Sequence, residues 1–424
     1  MRHIALFSAS VAVLLGLFSC QKAGSEDTPG SGEAPVIDLT TKSAEFVRKG
    51  NDFAFRFLKA VDASQDKDYV MSPLSMQFLL GMLLNGTGGT TADEICRVLG
   101  YGAGEIDAVN AFSEAMLKQL PALDGKTTLA IANALVVNKG WSLNKDYIGL
   151  MNRYYDAEVS SLNCYDEKGS AEIINKWCSD HTQGLIPSIL EKTDPSILAY
   201  LIDALYFKSE WVKPFPKEAT YQKGRFTTAA GKTVSVPMMH QSECFLYQAN
   251  DTFRAVNLPY GNGAFSMTVI LPAEGKTLAD VIASLDAEKW QVFAESKDEI
   301  LVNLTLPKFE TNSFLDLKDL LIGMGMPTAF DAKSADFSPM SPNASHLDFV
   351  KQKAVIKVSE EGAEAAAVSF AGVDGNSISG PSEPFVLFHA DHPFLYLISA
   401  NGEETLLFAG KYDGASSGDG DQAK

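Results

Sequence analysis

The chain has 424 residues, 46% hydrophobic and 21% charged, an ordinary globular composition with enough length to bury a large core unaided. Acidic residues outnumber basic ones 53 to 35, a formal net charge of −18, and no Lys/Arg run exceeds two residues, which argues against a nucleic-acid surface. Five Cys without CxxC spacing and six His without an HExxH arrangement argue against a structural zinc site, a disulfide framework or a zinc protease.

Residues 1–19 read as a cleavable signal peptide. Arg2 and His3 precede an apolar stretch, Ile4 to Phe18, that is short for a membrane span. Its ending, Leu17-Phe18-Ser19-Cys20, resembles a bacterial lipobox, in which Cys20 becomes the lipidated first residue. An ordinary secretory signal with a chance Cys is the alternative. Residues 20–42 begin Gly/Ser/Pro-rich and predict a flexible tether, and 413–424 a disordered tail, since neither composition buries apolar surface.

Between 43 and 412 there is neither an internal repeat nor a linker, so one domain is expected. Helical patterning marks 43–60, 73–84, 90–99, 105–120, 144–155 and 170–183. Strand-like runs occupy 128–137, 198–207, 253–258, 264–271, 300–309, 353–358, 385–388, 394–399 and 405–410. Helices dominate the first third and strands the rest, which predicts α+β rather than a parallel α/β sheet.

Familiar enzyme motifs are missing. There is no GxSxG elbow. Three GKT tripeptides, at Gly125, Gly231 and Gly275, lack the Gly five residues upstream that a phosphate loop needs, and read as turns. Asn85 to Thr90 reads as a C-cap Gly followed by an N-cap Thr, with Asp93 and Glu94 in the first turn of the next helix. Cys96, Cys164, Cys178 and Cys244 read as small buried hydrophobes. No residue is assigned to catalysis, metal binding or a cofactor.

One segment does not fit. After the strand-like Lys353 to Val358, the chain runs through 382 with almost no large side chain. At a period of two, one face carries Ala363, Ala365, Ala367, Ser369, Ala371, Val373 and Gly375, all small. The other carries Glu364, Ala366, Val368, Phe370, Gly372 and Asp374. A strand with one uniformly small face fits between two existing strands without striking the core beneath. No Pro occurs before Pro381, so every N–H there can join a ladder. A short helix over 360–370 is the competing local form, as Ala favours it.

The ordered set of motifs resembles the serpin family. Glu360-Glu361-Gly362-Ala363-Glu364-Ala365-Ala366-Ala367 resembles the hinge of inhibitory members. Phe388 to Ile398 resembles the C-terminal signature, Leu407-Phe408-Ala409-Gly410 the closing strand, Ser72-Pro73-Leu74-Ser75 the segment beneath the main sheet, and Val236-Pro237-Met238-Met239 the family's VPMM. Asn133-Ala134-Leu135, Thr182-Gln183-Gly184 and Phe207 through Trp211 with Pro214-Phe215 follow in family order, so the resemblance spans about 43–412.

It implies a serpin fold with about nine helices, three β-sheets and an exposed reactive-centre loop at about 360–384. The implied function is suicide inhibition of an endopeptidase. The protease attacks the loop, forms an acyl-enzyme, and is dragged away as the hinge inserts into the main sheet. Residues 361–375 would span about 50 Å at ~3.3 Å each. A dozen new ladder hydrogen bonds at ~1 kcal/mol net supply on the order of 10 kcal/mol. The protein would be an inhibitor and not an enzyme, monomeric, with its target protease as covalent partner and no cofactor or nucleic acid.

Counting from Glu360 puts the scissile bond at Asn376–Ser377, though the loop is about six residues longer than usual; Val373 and Ile378 are alternative sites. No Lys or Arg lies between Lys357 and Lys411, so elastase-, subtilisin- or papain-like targets are expected over trypsin-like ones. The implied shutter and breach positions are Ser72, Ser75, Asp203, Trp211 and Gln352. The family usually pairs Asn with His there. An Asp203–Gln352 hydrogen bond is the expected replacement, one that would make sheet opening pH-dependent, because a buried carboxylate is costly unless fully bonded. The lipobox implies export and anchoring in a bacterial cell envelope. The alternative function is a non-inhibitory serpin acting as a binding or carrier module.

Overall fold

The computed structural model describes residues 41–295, 299–343, 345–363, 385–400 and 405–414. Among them are nine α-helices: α1 (Thr41–Ser64), α2 (Pro73–Asn85), α3 (Gly89–Leu99), α4 (Ile106–Gln119), α5 (Lys145–Tyr155), α6 (Glu167–His181), α7 (Leu278–Ser284), α8 (Ala287–Glu295) and α9 (Lys318–Met324). The first strands are β1 (Tyr69–Met71), β2 (Thr128–Asn138), β3 (Glu158–Leu162), β4 (Ala199–Glu210), β5 (Tyr221–Thr227), β6 (Thr233–Ala249), β7 (Phe253–Tyr260) and β8 (Phe265–Pro272). They are followed by β9 (Glu299–Pro307), β10 (Phe309–Asp316), β11 (Lys351–Val358), β12 (Gly362–Ala363), β13 (Val386–His389), β14 (Phe394–Ala400) and β15 (Thr405–Tyr412).

The six helical patterns all form helices. α2 starts where the Ser72 hydroxyl accepts from the Ser75 N–H and Pro73 takes the first turn, where its missing donor is no loss. Its apolar residues surround the axis and it is buried on nearly every side, under both sheets. The following turn corrects the expected cap: Gly88, not Thr90, precedes α3. A side chain at 88 would place its Cβ 2.6 Å from Asp336 Oδ2, so the chain enters the helix two residues early through glycine. Glu94 accordingly lies past the first turn, where its carboxylate accepts from the Thr328 N–H at 2.9 Å and hydroxyl at 2.8 Å.

Among the described residues the strands link into two continuous hydrogen-bonded networks. One runs β1-β15-β14-β8-β7-β6-β9-β13, with β5 on β6, and the other β10-β11-β12-β4-β2-β3. The 17-residue β6 merges two of the implied sheets, because its first half pairs with β5 and its last residues with β7, while β9 spans the middle. The run expected at 300–309 is two strands, β9 and β10, broken at Lys308. The GKT positions lie in turns or bends. Cys96, Cys164 and Cys178 are buried and Cys244 is half-buried.

The six-stranded sheet is covered on both faces. Leu135, Leu205 and Phe207 join the main core. The alternate positions Ala134, Val136, Tyr200 and Ile202 pack with Ile174 and Cys178 of α6. The stretch from 182 to 198 connects α6 to β4 by way of β11. Asn175 of α6 accepts from the Ile189 and Leu190 N–H groups at 2.8 and 3.0 Å, and Lys353 of β11 donates to Ser188 O at 2.9 Å.

Candidate functional site

The two middle strands of the six-stranded sheet are not paired with each other. β12, two residues long, sits between their upper ends: Ala363 opposes Val358 of β11 on one side and Ser209 of β4 on the other, and Gly362 opposes Glu210. Below Ala363 no β4–β11 pairing exists among the described residues, and the strands flank a slot. A cavity of about 40 Å³ lies beside Asp203 and Gln352. One of about 190 Å³, bordered by Leu79, Leu83, Leu201, Phe337 and Phe349, lies at the lower end.

Four residues of the expected hinge, Glu360, Glu361, Gly362 and Ala363, are held at the top of this slot. Trp211 donates its backbone N–H to Glu361 O at 2.8 Å and its indole N–H to Ser359 O at 2.9 Å. The indole stacks on Tyr260, with ring centroids 4.2 Å apart. Phe215 N–H reaches Glu360 O at 2.9 Å. The Glu360 carboxylate accepts from Lys308 and Thr220, both at 3.0 Å. Burial alone would push Glu360 up, but the backbone hydrogen bond, Lys308 and Thr220 together hold it below the usual carboxylate range. Glu361 forms an ion pair with Lys217. Gly362 has φ +148°, a conformation reserved for glycine, and a Cβ there would lie 2.1 Å from Ser209 O. Ala363 is buried.

Glu364, Ala365, Ala366 and Ala367 lie outside the described residues, as do Asn376, Ser377, Val373, Ile378 and Cys20.

The shutter positions come together, but not as the expected pair. Gln352 bonds to the backbone of Ser72, accepting from its N–H at 3.0 Å and donating to its carbonyl at 2.8 Å. The Ser72 hydroxyl donates to Leu407 O at 2.8 Å. Asp203 accepts through Oδ1 from the Ser75 hydroxyl. No Asp203–Gln352 bond forms among the described contacts, because α2 lies beneath the slot and its first turn takes up both side chains separately. Asp203 keeps partial exposure at the slot edge, while its Oδ2 is buried and has no hydrogen-bond partner. Burial pushes its carboxyl up to about 7, against the opposing Ser75 hydrogen bond.

Directly across from Asp203 on β2 is Asn133. Its amide N–H donates to Tyr155 O at 2.9 Å, and its Oδ1 is likewise buried without a partner. In the sequence Asn133 stands out only as part of the Asn133-Ala134-Leu135 motif, and nothing in its local pattern marks a role. The clamps Lys308, Thr220 and Lys217 left no sequence signal either, since they come from separate parts of the chain. Among the described residues no group of three or more His, Cys, Asp or Glu is placed to hold a metal ion.

Residues 48–413 match the model of the family described as Serpin (serine protease inhibitor). A serpin-like protein of Thermococcus kodakarensis is 33% identical over 364 residues, covering 85% of this chain and 84% of the relative. The leukocyte elastase inhibitor of Xenopus laevis is 32% identical over 372 residues, covering 85% and 97%. The crystal structure of the thermophilic serpin tengpin in its native state superposes with a TM-score of 0.79 at 26% identity, covering 89% of this chain and 95% of that one.

Proposed function

The chain belongs to the serpin family, and on that premise we propose that it inhibits an endopeptidase by suicide-substrate trapping. The observation that carries this reading is the slot: Ala363 already pairs with both of its walls and Gly362 with one, and among the described residues no β4–β11 pairing closes it below them. The chain that follows has the small-faced pattern such a slot demands. Cleavage in the loop would free residues beyond Ala363 to continue the ladder downward, adding hydrogen bonds on both edges. An acyl-linked protease would travel with them. The missing Lys and Arg between 357 and 411 favour an elastase-, subtilisin- or papain-like target, with Asn376–Ser377 as the attacked bond and Val373 and Ile378 as the other sites. Lipidation at Cys20 would hold a monomeric inhibitor in the cell envelope.

The test is incubation of the full chain with elastase, subtilisin, papain and trypsin, followed by a denaturing gel and peptide mapping. An SDS-stable adduct with one of the first three, and a nicked form that melts far above the intact one, is the expected result. Clean cleavage without adduct and with equal melting would overturn the inhibitor reading and leave a binding or carrier module.

A further inference from the structure

The cavity of about 190 Å³ between α2, the start of β4 and the chain leading into β11 has a chemistry of its own. Trp141, Tyr200, Phe337 and Phe349 place aromatic rings around it, and Leu79, Leu83 and Leu201 complete an apolar lining. An apolar cavity of about 150 Å³ is large enough to take up benzene, so this one has room for a single substituted ring. Atoms that face such a space lack dispersion partners on one side, and a ring entering it supplies them.

The polar groups around the cavity are engaged elsewhere, with one exception. The Tyr200 hydroxyl accepts from the Asp194 N–H at 2.7 Å, and the Ser196 hydroxyl donates to Asp194 Oδ1 at 2.7 Å. His346 and Asp348 pair with each other at 3.4 Å. The Lys351 ammonium lies 5.5 Å from the ring centroids of Phe314 and Phe349. The exception is Ser345: its Oγ is buried, borders the cavity and has no hydrogen-bond partner among the described residues. A buried hydroxyl is normally satisfied, and this one can either donate or accept.

The walls are also held in place. The Asn138 side chain donates to Pro195 O and Ile197 O at 2.9 and 3.1 Å, the Leu347 N–H to Ala329 O at 2.8 Å, and the Leu317 N–H to Val350 O at 2.8 Å. A ligand therefore meets a preformed site and orders little on entering.

We propose that this cavity binds a small neutral aromatic molecule carrying one hydroxyl or N–H group, of the size of a substituted phenol, with its ring among Trp141, Tyr200, Phe337 and Phe349 and its polar group on Ser345 Oγ. The aromatic lining selects the ring, the lone unpartnered hydroxyl selects one polar group, and the mutual pairing of His346 with Asp348 leaves no call for a charged one. The inference concerns the intact molecule and is independent of the inhibitor reading.

The experiment titrates the intact full chain with p-cresol, its near-isostere p-xylene, and benzoate, by calorimetry and by the shift in melting temperature. Wild type is expected to bind p-cresol one to one, roughly three- to tenfold more tightly than p-xylene, the value of one hydrogen bond, and to melt higher in its presence. Benzoate is expected to bind at least about tenfold more weakly than p-cresol, because its charge would be buried without a partner. Ser345→Ala should bring p-cresol down to the affinity of p-xylene while leaving p-xylene unchanged. Leu201→Trp, which fills the cavity, should abolish binding of both. No saturable binding of p-cresol to wild type overturns the proposal. So does p-cresol binding that neither variant alters, which would place it elsewhere on the molecule, equal affinity for p-cresol and p-xylene, or a preference for benzoate.

Discussion

Replacing Gly362 by alanine tests whether the hinge must enter where the structure puts it. The added Cβ would sit 2.1 Å from Ser209 O and 2.7 Å from Glu210 Cα. Both are backbone atoms of β4, so no side-chain rotation relieves the contact. The φ of +148° is itself unfavourable for any residue with a Cβ, by about 1–3 kcal/mol. The chain must therefore withdraw Gly362 and Ala363, giving up their pairing with Glu210, Ser209 and Val358, or push β4 aside. A penalty of about 1–3 kcal/mol on the insertion step slows it ~5- to 150-fold. Deacylation then overtakes insertion and the inhibitor behaves as a substrate. With a fixed amount of elastase or subtilisin, densitometry of a denaturing gel should show adduct replaced by nicked chain. The intact variant should still unfold cooperatively, because the core lies below the hinge. An unchanged adduct fraction would refute the reasoning, since it would mean that Gly362 is not part of the moving strand.

Other expectations follow from the shutter, the breach and the helical layer. An unfolded aspartate ionises near ~3.9, whereas Asp203 in the intact fold does so at about 7. Between these values the fold holds a proton that the unfolded chain has lost, so stability falls as pH rises and levels off above 7, by roughly 4 kcal/mol in all; urea melts of wild type against Asp203→Asn should show this component only in wild type, and parallel curves would contradict it. Gln352→Leu strands the buried N–H of Ser72 and leaves its carbonyl with the Met76 N–H alone, which should lower intact stability by about 1–3 kcal/mol in chemical denaturation. Trp211→Phe keeps an aromatic ring over Tyr260 but loses the indole bond to Ser359, a loss of about 1 kcal/mol in melting with a larger effect on adduct yield than on stability. Glu94→Ala removes both acceptors of Thr328 and should destabilise by about 1–3 kcal/mol without altering adduct yield.

Much of this architecture could be read from residue spacing. α1 and α3 to α6 announce themselves through apolar periodicity, α2 through a Ser-Pro start before an apolar run, and β4, β8, β14 and β15 through short apolar runs that form buried strands. β10 was missed although its Phe309, Thr311, Ser313 and Leu315 face inward in strict alternation. Two of those four are polar, so an alternation of hydrophobicity alone does not reveal them. α7 was missed too, despite the reciprocal Thr277–Asp280 cap that opens it. The slot has a counterpart in the sequence, the small face of residues 363–375, which on the proposed mechanism would enter it. The shutter was read wrongly in its partners. Sequence placed Asp203 and Gln352 near each other, but only the position of α2 shows that Ser72 and Ser75 each claim one of them.

The crossing between α6 and β4 has a bearing on timing. On the proposed mechanism, a strand entering between β4 and β11 would pass beneath backbone moored by Asn175 on one side and by Lys353 on the other. Those moorings are hydrogen bonds at a partly wetted surface, which water can replace as they break. The crossing would then lift and reseat at little thermodynamic expense during that passage. Stiffening it with a covalent link from residue 188 to residue 353 would leave the resting molecule intact and hold the cleaved one halfway.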